Sequence, residues 1–314
     1  MPRPIRSLSI LAVALFVAAC GAGASPSPSA APISQATEAP TPAVTPMACG
    51  PSNLQTLSAG KLTIGTDNPA YPPYFAQHDG PYPSPWEASA YTGDPTTGQG
   101  FESAVAYSVA RRLGFTDAQV DWVVVPFNNS FAPGKKSFDF DINQISYSAD
   151  RAQNVDMSNS YYDLNQAVVA LKSNPAAGAK SIADLKAYKF GAQTGTTSYQ
   201  TIQTVIQPTA EASVYDTTDA AITALKAKQI DAIVVDLPTA DYITSVQIEN
   251  GAATIVGQLQ PASGTTDHFS LVLSKGSSLT PCVNAAVDSL KADGTLAQLA
   301  GKWLPFQGSV PVLK

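Results

Sequence analysis

The sequence predicts an α/β protein of two lobes, with two mainly parallel sheets joined by two hinge strands. Three observations carry this expectation. Strand-like and helix-like patterns alternate through most of the chain, which favours parallel sheets flanked by helices. The run Ile230–Val235 (IDAIVV) is almost continuously apolar, as a strand covered on both faces must be. The body after residue 48 is about 265 residues, long for one hydrophobic core and natural for two.

The first 48 residues stand outside that body. Arg3 and Arg6 precede an apolar run, Leu8 to Ala19, that is too short to span a bilayer, which takes about 20 residues. Residues 1–19 therefore read as a secretory signal peptide. The ending Val17-Ala18-Ala19-Cys20 resembles a bacterial lipobox, which implies a lipid on Cys20. The alternative is an ordinary signal with Cys20 incidental. Residues 20–48 are a linker rich in Pro, Ala, Ser and Thr, with Glu38 as its one charge. It buries too little apolar surface to fold, and its prolines keep it semi-extended.

Within the body, Lys61–Thr66 alternates as a strand. Phe101, Val105, Val109 and Leu113 recur every four residues and Gly114 follows, so 101–113 is a helix with a glycine stop. Asp121–Val125, 137–143 and Ala167–Lys172 read as strands. Ile182–Ala187 is a short helical turn before a strand over Tyr188–Gln193. Thr217 or Thr218 caps a helix carrying Ile222 and Leu225. Strand 230–235 follows, then a strand over Phe269–Leu273 and helices near 281–291 and 294–303. Residues 76–99, with four prolines and Trp86, break the rhythm as a long loop.

Charge and cysteine count narrow the function. Without Arg3 and Arg6, 16 Lys and Arg face 24 Asp and Glu, a net charge of −8 that disfavours nucleic acid. Besides Cys20 there are Cys49 and Cys282. In an exported chain they read as a disulfide rather than two free thiols. His78 and His268 have no Cys or His at ligand spacing, so no metal is expected. No phosphate loop, dinucleotide loop or serine elbow is present, and no cofactor is implied.

Four features point to a small ligand. Gly195-Thr196-Thr197-Ser198 follows a strand and opens a helix, either as an anion site or as a plain helix cap. Asp236 ends the buried strand, at the edge where open α/β sheets bind ligands, or else caps Leu237-Pro238. Arg151 is a scarce cation, since Lys and Arg number 18 in 314 residues; its plain alternative is a surface ion pair with Asp150 or Asp156. Tyr71, Tyr74 and Phe75 cluster near Asp67. Together these are complementary to a zwitterion of amino-acid size.

KLTIGTDNPAYPPYF, GFESAVAYSVARRLGF, ISYSADR, FGAQTGTTSYQTI, IDAIVVDLPTADY and VDSLKADGTLAQLAGKWL, in this order, resemble the extracellular solute-binding proteins of family 3 over about 60–304. The resemblance implies a two-lobed, periplasmic-binding-protein-like (type II) fold, with lobe 1 at 49–168 and 273–314 and lobe 2 at 169–272. Hinge strands are expected near 166–172 and 266–274. It implies that Arg151 forks onto the ligand carboxylate, that Thr196 and Thr197 complete that site, and that Asp236 holds the ammonium. Gln144 and Ser146 would hold the backbone end of the ligand, and Asp67, Tyr71 and Phe127 would wall its side chain. The longer 76–99 loop and Gln144, where a small residue is common, are departures. The expected protein is a monomeric, lipid-anchored receptor outside the cytoplasmic membrane that hands an amino acid to an ABC transporter permease. The rival is an enzyme on the same fold, similar to cyclohexadienyl dehydratases, with acids at Asp67, Glu87 and Asp236. No Lys or His falls in a matched pocket motif to serve it.

Overall fold

The computed structural model describes residues 49–89, 91–261, 267–304 and 310–314. The signal peptide 1–19, the linker 20–48 and Cys20 lie outside the described residues. In chain order the elements are β1 (Leu62–Thr66), α1 (Phe101–Arg112), β2 (Val120–Val124), α2 (Phe127–Ser130), β3 (Phe140–Asp141), α3 (Arg151–Asn154), β4 (Val155–Met157), β5 (Tyr162–Leu164) and β6 (Gln166–Leu171). Then come α4 (Ile182–Leu185), β7 (Phe190–Gln193), α5 (Thr197–Thr201), β8 (Ser213–Tyr215), α6 (Thr218–Lys226), β9 (Ala232–Asp236) and α7 (Leu237–Tyr242). The chain ends on β10 (Ala253–Leu259), β11 (Asp267–Phe269), β12 (Val272–Ser274), α8 (Thr280–Ala292) and α9 (Thr295–Trp303).

These build two five-stranded sheets, ordered β2-β1-β3-β12-β4 and β10-β6-β9-β7-β8. A two-stranded ribbon, β5 with β11, is the third sheet. In the first sheet β1 runs parallel to β2 and β3, while β12 is antiparallel to both β3 and β4. In the second, β7 is parallel to β8 and β9, while β6 is antiparallel to β9 and β10. Each sheet therefore has four strands running one way and one reversed. The reversed strand is in each case the one that has just arrived through the ribbon, β6 after β5 and β12 after β11. The ribbon connects the two lobes.

Both faces of both sheets are covered. Leu62, Ile64 and Phe140 pack under α1 and α8, and Val125, Phe138 and Val272 form a second cluster. In the second sheet Val168 and Val234 belong to one cluster, Val169 and Ile233 to another. Burial on two sides explains why the periodicity of 137–143 misleads. Asp139 and Asp141, read there as the polar half of an alternating strand, are both buried. Asp139 accepts from the Thr63 and Leu57 amides at 2.7 and 2.8 Å. Both Asp141 carboxylate oxygens lack a partner among the described residues, and burial pushes its pKa well up. The regular strand shrinks to Phe140–Asp141.

Other expectations need correction. Phe269–Leu273 is not one strand: Ser270 donates to the Ile145 carbonyl and Leu271 to the Ser158 hydroxyl, which breaks it into β11 and β12. The first crossing strand is 162–164, not 166–172, because β5 is the one that pairs with β11. β6 lies wholly in the second sheet, so a boundary at 168 cuts a strand. The last residues, expected with lobe 1, return to lobe 2, where Leu313 is buried and donates to the Gln258 carbonyl of β10, while the Gln258 amide donates to the Pro311 carbonyl. Strands β4, β5, β8 and β10 have no counterpart in the sequence reading. The 76–99 loop is folded onto the segment after β1: Trp86 is buried and its Nε1 donates to the Asp67 carbonyl at 3.3 Å.

Cys49 and Cys282 are joined by a disulfide, with Cα atoms 5.5 Å apart and 233 positions between them in sequence. It ties the start of the body to α8. Replacing both by alanine should lower unfolding stability by about 2–5 kcal/mol in denaturant titration. Thiol titration of the unfolded, unreduced protein should find neither free, and two reactive thiols would contradict the pairing.

Candidate functional site

The ends of the two sheets face each other across a cleft. Asp67, Tyr71, Phe127, Gln144, Ser146, Arg151, Thr196, Thr197 and Asp236, the nine positions singled out in the sequence, all line it. They come from both lobes, so the chain brings together residues up to 169 positions apart only when the lobes approach (Asp67 to Asp236).

Arg151 opens α3 and is 7 % exposed. Its Nη1 donates to the Ser146 carbonyl in its own lobe and its Nη2 to the Gly195 carbonyl in the other, the latter at 2.8 Å. The guanidinium carbon lies 4.3 Å from the Phe131 ring centroid and 5.5 Å from that of Phe127. No carboxylate lies within ion-pair distance of it among the described residues. The surface-pair alternative fails: Asp156 is with Lys275 and Thr280 instead. Burial lowers the Arg151 pKa to about 10, with Asp236 and Asp267 acting in the opposite sense. Gly195 makes the close approach possible. Its φ is +74°, and a Cβ there would sit 2.2 Å from the Asn128 side-chain oxygen.

Asp236 closes β9 and stands before α7, yet its side chain caps nothing. The antiparallel register pairs it with Gln166 of β6, which puts both side chains on one face. Gln166 is fully buried; its Nε2 donates to Asp236 Oδ1 at 2.6 Å, and its Oε1 accepts from the Ser198 hydroxyl at 2.6 Å. Burial raises the Asp236 pKa to about 7, against the Gln166 bond and Arg151 and with the help of Asp267. Thr196 is a helix cap, accepting from the Tyr199 amide at 3.1 Å. Thr197 is free of that duty: its hydroxyl donates to Ser146 Oγ at 3.3 Å, across the cleft. The helix-cap alternative left by GTTS falls to Thr196, and Thr197 faces the cleft.

The remaining wall is aromatic and acidic. Asp67 accepts from the amides of Asn68 at 2.7 Å and Phe127 at 3.1 Å. Tyr71 donates across the cleft to Asp219 at 2.8 Å, and Tyr74 shares a 3.0 Å bond with Thr239. Gln144 has a left-handed φ of +48°, rare outside glycine. Its amide donates to Glu102 at 2.7 Å and its side chain donates to the other oxygen of the same carboxylate. Glu102 is itself fully buried, and burial raises its pKa to about 7. That anchor holds a large residue where a small one is expected.

Three residues of the site escaped the sequence reading. Gln166 was hidden because only sheet register sets it beside Asp236. Asp219 follows the cap of α6 at the carboxyl edge of the second sheet, a position that could have flagged it. Asn143 is 7 % exposed, and its amide nitrogen has no partner among the described residues. Glu87, by contrast, is exposed on the 76–99 loop and does not line the cleft.

Comparison with known proteins agrees with this architecture. Residues 78–306 match the bacterial extracellular solute-binding proteins, family 3. A probable histidine-binding protein of Campylobacter jejuni is 28 % identical over 207 residues, 65 % of this chain and 76 % of its own. The L-cystine-binding protein of Bacillus subtilis is 27 % identical over 246 residues, 78 % of this chain and 81 % of its own. The solved structure of an ancestral arginine-binding protein bound to arginine superposes with a TM-score of 0.60 at 27 % identity, covering 78 % of this chain and 98 % of that one. The family match spans well over half the sequence: this chain belongs to the bacterial extracellular solute-binding proteins, family 3.

Proposed function

We propose that the protein is a receptor that captures a free amino acid between its lobes and delivers it to the permease of an ABC importer. One observation carries the reading: among the described residues Arg151 is a buried cation that bonds only carbonyls and lies against ring faces, with no anion paired to it. An α-carboxylate supplies one, in the two-pronged geometry a guanidinium favours. Asp236, oriented by Gln166 and capping nothing, receives the α-ammonium. The family and the histidine-, cystine- and arginine-binding relatives support this reading over covalent chemistry. Ligand contacts to both lobes bias the hinge at β5 and β11 toward closure.

Arg151→Ala should weaken every amino acid that binds by about 30- to 3,000-fold, the usual cost of truncating one partner of a buried charge pair. Its unfolding should change little, because among the described residues its guanidinium bonds only two backbone carbonyls and forms no ion pair. Arg151→Lys should recover part, keeping the charge and losing the fork. Titration calorimetry decides, and an Arg151→Ala protein that binds within about threefold of the parent removes the carboxylate site.

Binding should also depend on pH. An ammonium needs Asp236 ionised, and its pKa of about 7 means protons compete as pH falls. Affinity should drop by about tenfold per unit below 7 and level off above it. Asp236→Asn should bind weakly and flatten that slope; a parent protein with constant affinity from pH 5 to 8 contradicts the role.

The receptor is anchored outside the cytoplasmic membrane by a lipid on Cys20, with 20–48 as its tether. Among the described residues no helix is long and apolar enough to cross a membrane. Cys20→Ser should release the protein to the medium, and retention on membranes after a detergent-free wash would refute the anchor.

A further inference from the structure

The cleft has a second charge centre, away from the first. Asp236 and Asp267 act on Arg151, whereas Asp219 and Asp67 both act on the Tyr71 hydroxyl, which their charges, with burial first, push upward. Asp219 takes the Tyr71 hydroxyl on one oxygen and Gln247 Nε2, at 3.3 Å, on the other. Asp67 takes two backbone amides. An ionised carboxylate offers about four acceptor positions, so each retains capacity for further donors. No lysine and no second arginine lines the cleft among the described residues.

Formally, three carboxylates (Asp67, Asp219 and Asp236) line the cleft against one guanidinium. A zwitterion is neutral and leaves that excess of two negative charges in place. An apolar side chain would strip water from Asp67 and Asp219 and return nothing. An acidic side chain would add a third like charge. A side chain with a positive charge brings several donors and no acceptor, and reduces the excess. Tyr71 bonds Asp219 and the Phe127 amide bonds Asp67, so an aromatic residue, a type that attracts cations, adjoins each acid.

We propose that this receptor selects amino acids with a positively charged side chain, and that Asp219 and Asp67, one from each lobe, are the residues that choose it. The inference rests on the reading of Arg151 and Asp236 as the zwitterion clamp. It assigns Asp219 two tasks, a ligand acceptor and, through Tyr71, a bond across the closed cleft.

Calorimetry of the intact protein with arginine and citrulline tests it, since the two differ by a guanidinium against a neutral urea of nearly the same shape. Arginine should bind at least about tenfold tighter. Asp219→Asn and Asp67→Asn should each cut that arginine-to-citrulline ratio several-fold. Using the ratio within one variant cancels any change in how readily its lobes close. Citrulline equal to arginine, or a ratio unmoved by both substitutions, overturns the proposal. If neutral amino acids bind in an Arg151-dependent way while arginine and lysine do not, selectivity falls and the clamp stands. If no amino acid depends on Arg151, both fall.

Discussion

A guanidinium taken out of water needs partners, and Arg151 has too few. Two carbonyls and two ring faces replace part of its hydration, and its lowered pKa records the shortfall. Such a group is costly where it stands unless an anion joins it. The cost is also divided between lobes, because Ser146 belongs to one and Gly195 to the other. The site is complete only in the closed arrangement, so a ligand that supplies the anion rewards closure itself. Binding and hinge motion are then one equilibrium.

The fold serves that arrangement through its crossings. Reversing one strand per sheet lets the chain pass twice between lobes through the β5–β11 ribbon, which leaves the carboxyl edges of the parallel strands facing each other. The same reversal makes β6 antiparallel to β9, and that register seats Gln166 against Asp236. A parallel neighbour would slant the bonds and offset the pair. The ammonium site is in this sense a by-product of how the lobes are joined. The buried acids Glu102 and Asp141 lie on the other side of the cleft, in lobe 1. Glu102 is spoken for by Gln144 and Tyr161, while Asp141 is not.

Much of this was legible in the residues. β1, α1, β9 and the two closing helices follow their hydrophobic periods to within a residue or two, because strong apolar patterns outlast tertiary context. Arg151 stood out because cations are scarce in this chain, and Asp236 and Thr197 because they follow strands at the edge where open sheets bind ligands. What stayed hidden was set by pairing between distant strands. β10 carries a Gly and two Thr or Gln positions in a weak pattern, yet six of its seven residues pair with β6. Asp139 and Asp141 looked solvated because alternation assumes one wet face, and this sheet has none. Gln166 needed the β6–β9 register before it had Asp236 to face, and Asp219 needed Tyr71 of the other lobe.

The central claim is that Arg151 and Asp236 hold the two ends of one amino acid. The most direct measurement is a crystal structure of the protein with its tightest-binding amino acid. The ligand carboxylate should lie within about 3 Å of the Arg151 guanidinium nitrogens, its ammonium at Asp236, and its side chain toward Tyr71 and Asp219. A ligand bound in the reverse sense, or outside the cleft with Arg151 still resting only on the Ser146 and Gly195 carbonyls, would contradict it.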